Sequence, residues 1–119
     1  MNSKQVVAAL AALGQDTRLD VFRLLVERGP DGLAAGAIAE ALSVPPSSLT
    51  FHLQQLTHAG LITQRRLSRQ LIYAADFAAM NTILGYLTEN CCGGNASLCA
   101  PQRTPTKTSA VTRKKGKAA

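Results

Sequence analysis

Tryptophan is absent from this sequence, and phenylalanine and tyrosine together make up only 4% of it. No apolar run approaches the ~18 residues that would cross a bilayer. The opening Met1-Asn2-Ser3-Lys4-Gln5 lacks the basic-then-apolar layout of a secretory signal, so the expected location is the cytoplasm, with no membrane partner. Cysteine occurs three times, an odd number that in a reducing compartment argues against a disulfide framework. There is no Cys-x-x-Cys, no general base beside the thiols and no glycine loop that would form a pocket. These absences weigh against a thiol-dependent enzyme or metalloid carrier, and we expect neither catalysis nor a protein substrate. No internal repeat is present, and 119 residues suffice for one domain with a modest core.

Acidic residues are also unevenly missing. The formal charge of +6 resides in the tail, where Arg103, Lys107, Arg113, Lys114, Lys115 and Lys117 follow Ala100 without a single Asp or Glu. Before that point basic and acidic side chains balance, but they are sorted. Between Val44 and Ala75 stand Arg65, Arg66 and Arg69 and no acid, which implies a basic patch.

What is present reads mainly as helix. Ser3 to Leu13 is an alanine-rich helix, capped by Ser3 or Asn2 and stopped by Gly14, with Val6, Val7, Leu10 and Leu13 as its apolar face. Asp16 is expected to cap a second helix, Thr17 to Arg28, that turns Leu19, Phe22, Leu25 and Val26 inward and ends at Gly29-Pro30-Asp31-Gly32. A short helix, Ala35 to Leu42, leads through Ser43-Val44-Pro45 into a fourth that starts near Pro46 and closes at Gly60. Two helices joined by about three residues have the spacing of a helix-turn-helix. Leu61 to Arg66 and Gln70 to Ala74 read as a hairpin around Leu67-Ser68-Arg69. Asp76 caps a last helix, Phe77 to about Asn90, with Met80, Ile83, Leu84 and Leu87 on its apolar side. Gly85 inside it costs about 1 kcal/mol relative to alanine, tolerated outright or required by a closely approaching partner helix. The expected fold is mainly α (α+β): a winged helix-turn-helix of about five helices and a two-stranded β wing. Residues 1–92 form its DNA-binding and dimerisation domain, 93–99 a metalloid-binding loop and 100–119 a disordered basic tail.

The fourth helix carries the first chemistry. Leu49, Leu53 and Leu56 recur at the spacing of a buried stripe. Opposite them lie Ser47, Ser48, Phe51, Gln54 and Gln55, with Thr50 on the flank: uncharged side chains, where a merely solvated face would more often carry Lys and Glu. In a winged helix this helix enters the major groove, where hydroxyls and amides meet base edges and Phe51 can meet a thymine methyl. Pro46 suits the first helical position, and the unpaired backbone N–H groups of the turn it opens favour a phosphate. Arg65, Arg66 and Arg69 on the hairpin would position the protein on phosphates, although arginines on an edge strand also serve solubility. His52 and His58, six residues apart, fall on different helix faces and read as a packing and a surface residue. One such module offers a small interface, so a homodimer through the first and last helices is expected, placing two reading helices about 34 Å apart on double-stranded operator DNA.

The second chemistry is that of three thiols. Cys91, Cys92 and Cys99 fall within nine residues beside Gly93-Gly94. Three thiols suit a trivalent centre such as arsenic(III) or antimony(III); zinc would require a fourth ligand, and Cu(I), cadmium or lead remain compatible with soft sulfur.

The run Leu42-Ser43-Val44-Pro45-Pro46-Ser47-Ser48-Leu49-Thr50-Phe51-His52-Leu53-Gln54-Gln55-Leu56, continued by Ala59-Gly60-Leu61-Ile62, resembles the helix-turn-helix of the ArsR/SmtB family of metal-sensing repressors. Arg65-Arg66-Leu67-Ser68-Arg69-Gln70-Leu71-Ile72-Tyr73 is similar to that family's wing, with Ser68 where the family usually has glycine. The family's cysteine pair in the helix before the recognition helix is missing from Ile38-Ala39-Glu40-Ala41-Leu42, and its histidine ligands are missing from Asp76 onward. Asn90-Cys91-Cys92 with Cys99 resembles the subgroup that binds arsenite through three cysteines. The resemblance implies a homodimeric repressor of an arsenic-resistance operon, released from its operator when As(III), or Sb(III), binds Cys91, Cys92 and Cys99. The alternatives are a repressor of the same fold that senses thiol oxidation or persulfide, or another thiophilic metal.

Overall fold

The computed structural model describes residues 1–94, with Cys92 described in its backbone only. The chain divides into a unit Met1–Tyr86 and a second that begins at Leu87. Its elements are α1 (Ser3–Leu13), α2 (Asp16–Arg28), β1 (Leu33–Ala34), α3 (Ala35–Leu42), α4 (Pro46–His58), β2 (Ile62–Leu67), β3 (Gln70–Ala75), α5 (Phe77–Leu87) and a 3-10 turn, Cys91–Gly94. This is a winged helix-turn-helix of five helices and a small antiparallel sheet. The expected disordered tail and Cys99 lie outside the described residues.

Local hydrogen bonding decides where the helices begin. Asn2 Oδ1 accepts from the Gln5 N–H at 2.9 Å while the Asn2 N–H donates to Gln5 Oε1 at 2.8 Å, a reciprocal cap at the start of α1. α2 departs from the expected cap. Gln15, in extended backbone, accepts the Arg18 N–H on its side chain, and Asp16 is already the first helical residue. There its charge favours the positive end of the helix dipole.

Two helix faces are also phased differently from expectation. In α1, Val6, Ala9 and Ala12 are buried, whereas Val7 is 62% and Leu10 42% exposed. In α2, Val21, Phe22 and Leu25 enter the core and Leu19 is 43% exposed, because the inward stripe is centred between Phe22 and Leu25. Leu25, Ile38, Leu49, Leu56, Leu61 and Val21 are the largest fully buried side chains, so α2, α3, α4 and the start of the wing share one core.

The turn between α3 and α4 passes through Ser43, held in left-handed backbone at φ 54°, with the Val44 N–H donating to the Ala39 carbonyl. At the other end of α4 the Leu61 N–H reaches the Leu56 carbonyl and the Gly60 N–H the Thr57 carbonyl, with Gly60 at φ 80°. This is a Schellman closure, and its apolar pair, Leu56 and Leu61, is fully buried. It turns the chain directly into β2, which fixes the wing relative to α4.

The wing pairs Ile62 with Ala75 through Leu67 with Gln70, leaving Ser68-Arg69 as a two-residue loop. Ser68, at φ 57°, takes the positive φ that such a loop demands at its first position. β1, absent from the sequence expectation, adds a short third strand beside β3, pairing Leu33 with Tyr73. Gly32, at φ 72°, lies so close to this pair that a Cβ would collide with the Tyr73 carbonyl.

In α5, Asp76 Oδ1 accepts the Ala79 N–H at 3.0 Å, as expected of a cap. The helix ends at Leu87 instead of Asn90, and Asn90 is left-handed at φ 56°. Of the four residues expected on its apolar side, Ile83 is buried and Met80 packs against the core, but Leu84 is 46% exposed and Leu87 is also exposed. A Cβ at Gly85 would meet nothing within 4 Å, so the fold of one chain does not require glycine there.

Candidate nucleic-acid interface

With Leu49, Leu53 and Leu56 buried, the remaining faces of α4 follow from helical geometry. Pro46, Ser47, Ser48, Thr50, Phe51 and Gln54 are exposed, Phe51 to 54%. No side chain caps the helix, so its first-turn N–H groups point outward, ready for a phosphate oxygen. Thr50 Oγ1 donates back to the Pro46 carbonyl at 3.0 Å, which commits its hydrogen and leaves it an acceptor toward solvent. Gln54 retains a donor and an acceptor, the pair that can read adenine from the major groove.

Gln55 belongs elsewhere. It is half-buried and lines a groove with Ala8, Ala11, Ala12, Arg18, His58 and Ala59, turned toward α1 and away from the exposed face that carries Gln54. The sequence grouped it with Gln54 because the two are adjacent, but one residue is 100° of helix.

A second groove, of about 340 Å³, runs between α4 and the wing, lined by Thr50, Gln54, Thr57, His58, Gln64, Leu71 and Tyr73. Strand alternation then sorts the three arginines. Gln64 pairs with Tyr73 and Arg66 with Leu71, so Arg66 stands on the groove face of the hairpin. Arg69 occupies the loop at its tip. Arg65, on the opposite face, donates from Nη2 to the Asp31 carbonyl at 3.0 Å and ties the wing to the loop before β1. Arg66 and Arg69 make no hydrogen bond or ion pair among the described residues, which leaves their charge for an anionic partner.

Beside the exposed face of α4 lies a contact that the sequence did not disclose. Arg18 Nη1 approaches His52 Nδ1 at 3.3 Å while its Nε donates to the Ala12 carbonyl at 2.6 Å. His52 meets the edge of Phe51 at a centroid distance of 5.7 Å. Burial first, and the Arg18 charge second, hold the His52 pKa below its usual 6.5. Partners 34 residues apart leave no trace in local pattern, so only the fold could reveal this one.

The thiols are described only in part. Cys91 is half-buried in the 3-10 turn, its N–H donating to the Thr88 carbonyl at 2.9 Å. The Cys92 side chain and all of Cys99 lie outside the described residues. Among the described residues no three His, Cys, Asp or Glu side chains gather as a metal site. No helix among them is long and apolar enough to cross a membrane.

Residues 13–65 match the model of a helix-turn-helix domain. The nodulation protein NolR of Rhizobium meliloti is 30% identical over 80 residues, 67% of this chain; the match spans 63% of that protein's own length. An ArsR-like transcriptional regulator from Rhodococcus sp. RHA1 superposes with a TM-score of 0.64 at 26% identity, over 71% of this chain and 76% of its own. A homodimeric winged helix-turn-helix DNA-binding domain from Mycobacterium bovis does so with a TM-score of 0.58 at 26% identity, over 73% and 81%. Fold and domain are those of DNA-binding transcriptional regulators and not of enzymes.

Proposed function

Proceeding from a helix-turn-helix domain carried on the winged-helix fold of ArsR-like regulators, we propose that this protein is a homodimeric repressor that reads double-stranded operator DNA and releases it on binding trivalent arsenic. The observation that carries the DNA reading is the single groove flanked by the uncharged face of α4 and by Arg66 on the wing. Ser47, Thr50, Phe51 and Gln54 contact base edges, while Arg66, Arg69 and the first turn of α4 hold phosphates. Arg65 braces the wing.

Two copies meet through the exposed apolar side chains of α1 and α5, Val7, Leu10, Leu84 and Tyr86. A homodimeric domain of the same fold supports the pairing of two copies. Val7 and Leu10, one turn apart on α1, form an exposed apolar surface beside an interior side made of Val6, Ala9 and Ala12, and contiguous exposed apolar surface is the mark of a protein contact.

The inducer reading rests on the three cysteines clustered from Cys91 to Cys99. Arsenous acid carries three hydroxides, and each thiol replaces one of them. Three S–As bonds form, three As–O bonds break, and the three thiol protons leave in three waters. The closed ring constrains the chain that follows α5, and α5 in turn carries part of the dimer surface. A coupling of a few kcal/mol between the two sites is enough for release.

A gel mobility shift tests this with a duplex selected from a randomised pool by the wild-type protein, titrated with arsenite, antimonite, zinc and cadmium. Release by the two metalloids alone is the expected outcome. Single Cys→Ser changes at Cys91, Cys92 and Cys99 should preserve duplex binding and abolish release. Normal release by all three variants would overturn the thiol assignment, and release by peroxide but not by anaerobic arsenite would make the protein a redox sensor.

A further inference from the structure

We propose that Arg18 positions the recognition helix, acting as a fork between the last turn of α1 and His52 of α4. This rests on the DNA reading above and adds to it a residue that no base or phosphate touches. The guanidinium is planar, and its donors leave at fixed angles. One of them, Nε–H, donates to the Ala12 carbonyl at 2.6 Å, an acceptor that the end of α1 leaves without a helical partner. That bond orients the plane, and the plane directs Nη1 at His52 Nδ1, 3.3 Å away. The backbone N–H of Arg18 is itself fixed by the Gln15 side chain, so the base of the fork does not swing. A displacement of α1 therefore withdraws the donor from α4. Because α1 also carries Val7 and Leu10, the exposed side chains that a second copy would cover, the fork connects the dimer face to the reading face within one chain.

The chemistry of the contact fixes the state of His52. An arginine only donates, so Nδ1 must accept and the ring proton sits on Nε2, as neutral imidazole. Protonation would set N–H against N–H and a second positive charge against the guanidinium. Arg18 is the charge that acts on His52; in the adjoining groove the charged and titratable groups are Arg18 from α2 and His58 from α4, and α1 contributes only Ala8, Ala11 and Ala12. Since the folded-state pKa of His52 lies below its usual 6.5, the clamp is complete above pH 6.5 and is lost as the pH falls through that lowered value.

The test uses the full chain and a duplex selected from a randomised pool by the wild-type protein. Arg18→Ala should bind it at least tenfold more weakly while its helical circular dichroism is retained. The wild-type affinity should decline as the pH is lowered below 6.5. His52→Asn, whose amide oxygen can accept near the place of Nδ1 without titrating, should hold a flat profile, which separates His52 from His58. Wild-type affinity in Arg18→Ala, or the same pH profile for the wild type and His52→Asn, would overturn the proposal. Should Arg18→Ala fail to fold, the two profiles decide. If the wild type selects no duplex, the DNA reading itself fails, and the fork is then read by NMR. An unprotonated Nδ1 on His52 whose nitrogen shift moves in Arg18→Lys supports the fork; a protonated Nδ1, or a shift unchanged in Arg18→Lys, overturns it.

Discussion

The side of α4 that faces water and the sides of α1 and α5 that face water are built from opposite materials. On α4 the exposed residues are hydroxyls and amides around one aromatic ring, with arginines nearby on the wing. On α1 and α5 the large exposed side chains include the apolar Val7, Leu10, Leu84, Tyr86 and Leu87, and Lys4 is the one charged residue in the two helices. A hydrogen-bonding face with adjacent positive charge is suited to a polyanion whose edges carry donors and acceptors. An apolar face is suited to another apolar face. One chain thus presents two surfaces for two partners, and the single core beneath them holds both in place.

The most damaging change to both surfaces is the removal of their common support. Leu56 is fully buried under α4 and closes its Schellman turn with Leu61. Leu56→Ala should destabilise the protein by about 2–5 kcal/mol in urea unfolding, with duplex binding and self-association lost together. Loss of one without the other would mean that the two faces do not share a core.

Next comes a change confined to the apolar side. A double Leu10→Glu, Leu84→Glu variant should sediment as a monomer, keep its helical dichroism and bind the selected duplex about 100-fold more weakly, a loss of about 2.7 kcal/mol. A monomer that binds as tightly as the wild type would separate the faces functionally.

Within the polar side the arginines should differ from one another. Arg66→Ala and Arg69→Ala should each lower the slope of log affinity against log salt by about 1 and weaken all sequences alike. Arg65→Ala should leave the slope nearly unchanged and instead cost about 1 kcal/mol of stability, through the lost bond to Asp31. Equal slopes for all three would contradict the assignment of Arg65 to bracing.

The smallest effect is expected at the wing tip, where Ser68 holds a positive φ without being glycine. Ser68→Gly relieves strain of about 1–2 kcal/mol but adds unfolded-state entropy of about 0.5–1 kcal/mol. A net stabilisation of a few tenths of a kcal/mol, with duplex affinity unaltered, is the result to look for in thermal melts.

Much of this architecture was legible before the fold was known, and the reason is periodicity. α3 and α4 announce themselves by a stripe of aliphatics, a proline at the start and a glycine at the end, and α1 by its run of alanines between Ser3 and Gly14. β1 was not legible, because two residues cannot display an alternation and their only partner is Tyr73 and its neighbour, some forty positions away. Gln15 outcompeted Asp16 as a cap for a backbone reason, its extended φ and ψ, which composition does not encode. Leu19 reads as interior, and Val7 and Leu10 as an apolar face, because hydrophobicity marks a residue that some surface will cover, without saying whether that surface belongs to the same chain. The candidate DNA-facing residues were mostly visible as a group, but Gln55 and Arg65 separated from it only when groove and strand faces were defined. Arg18 was invisible, since its meaning depends on a histidine 34 residues later.

The most direct measurement is hydroxyl-radical footprinting of the wild-type protein on its selected duplex. The account expects two protected stretches of backbone on one side of the DNA, flanking major-groove segments centred about 34 Å apart and related by two-fold symmetry. A single uninterrupted segment, protected in full by the Leu10→Glu, Leu84→Glu monomer, would contradict it.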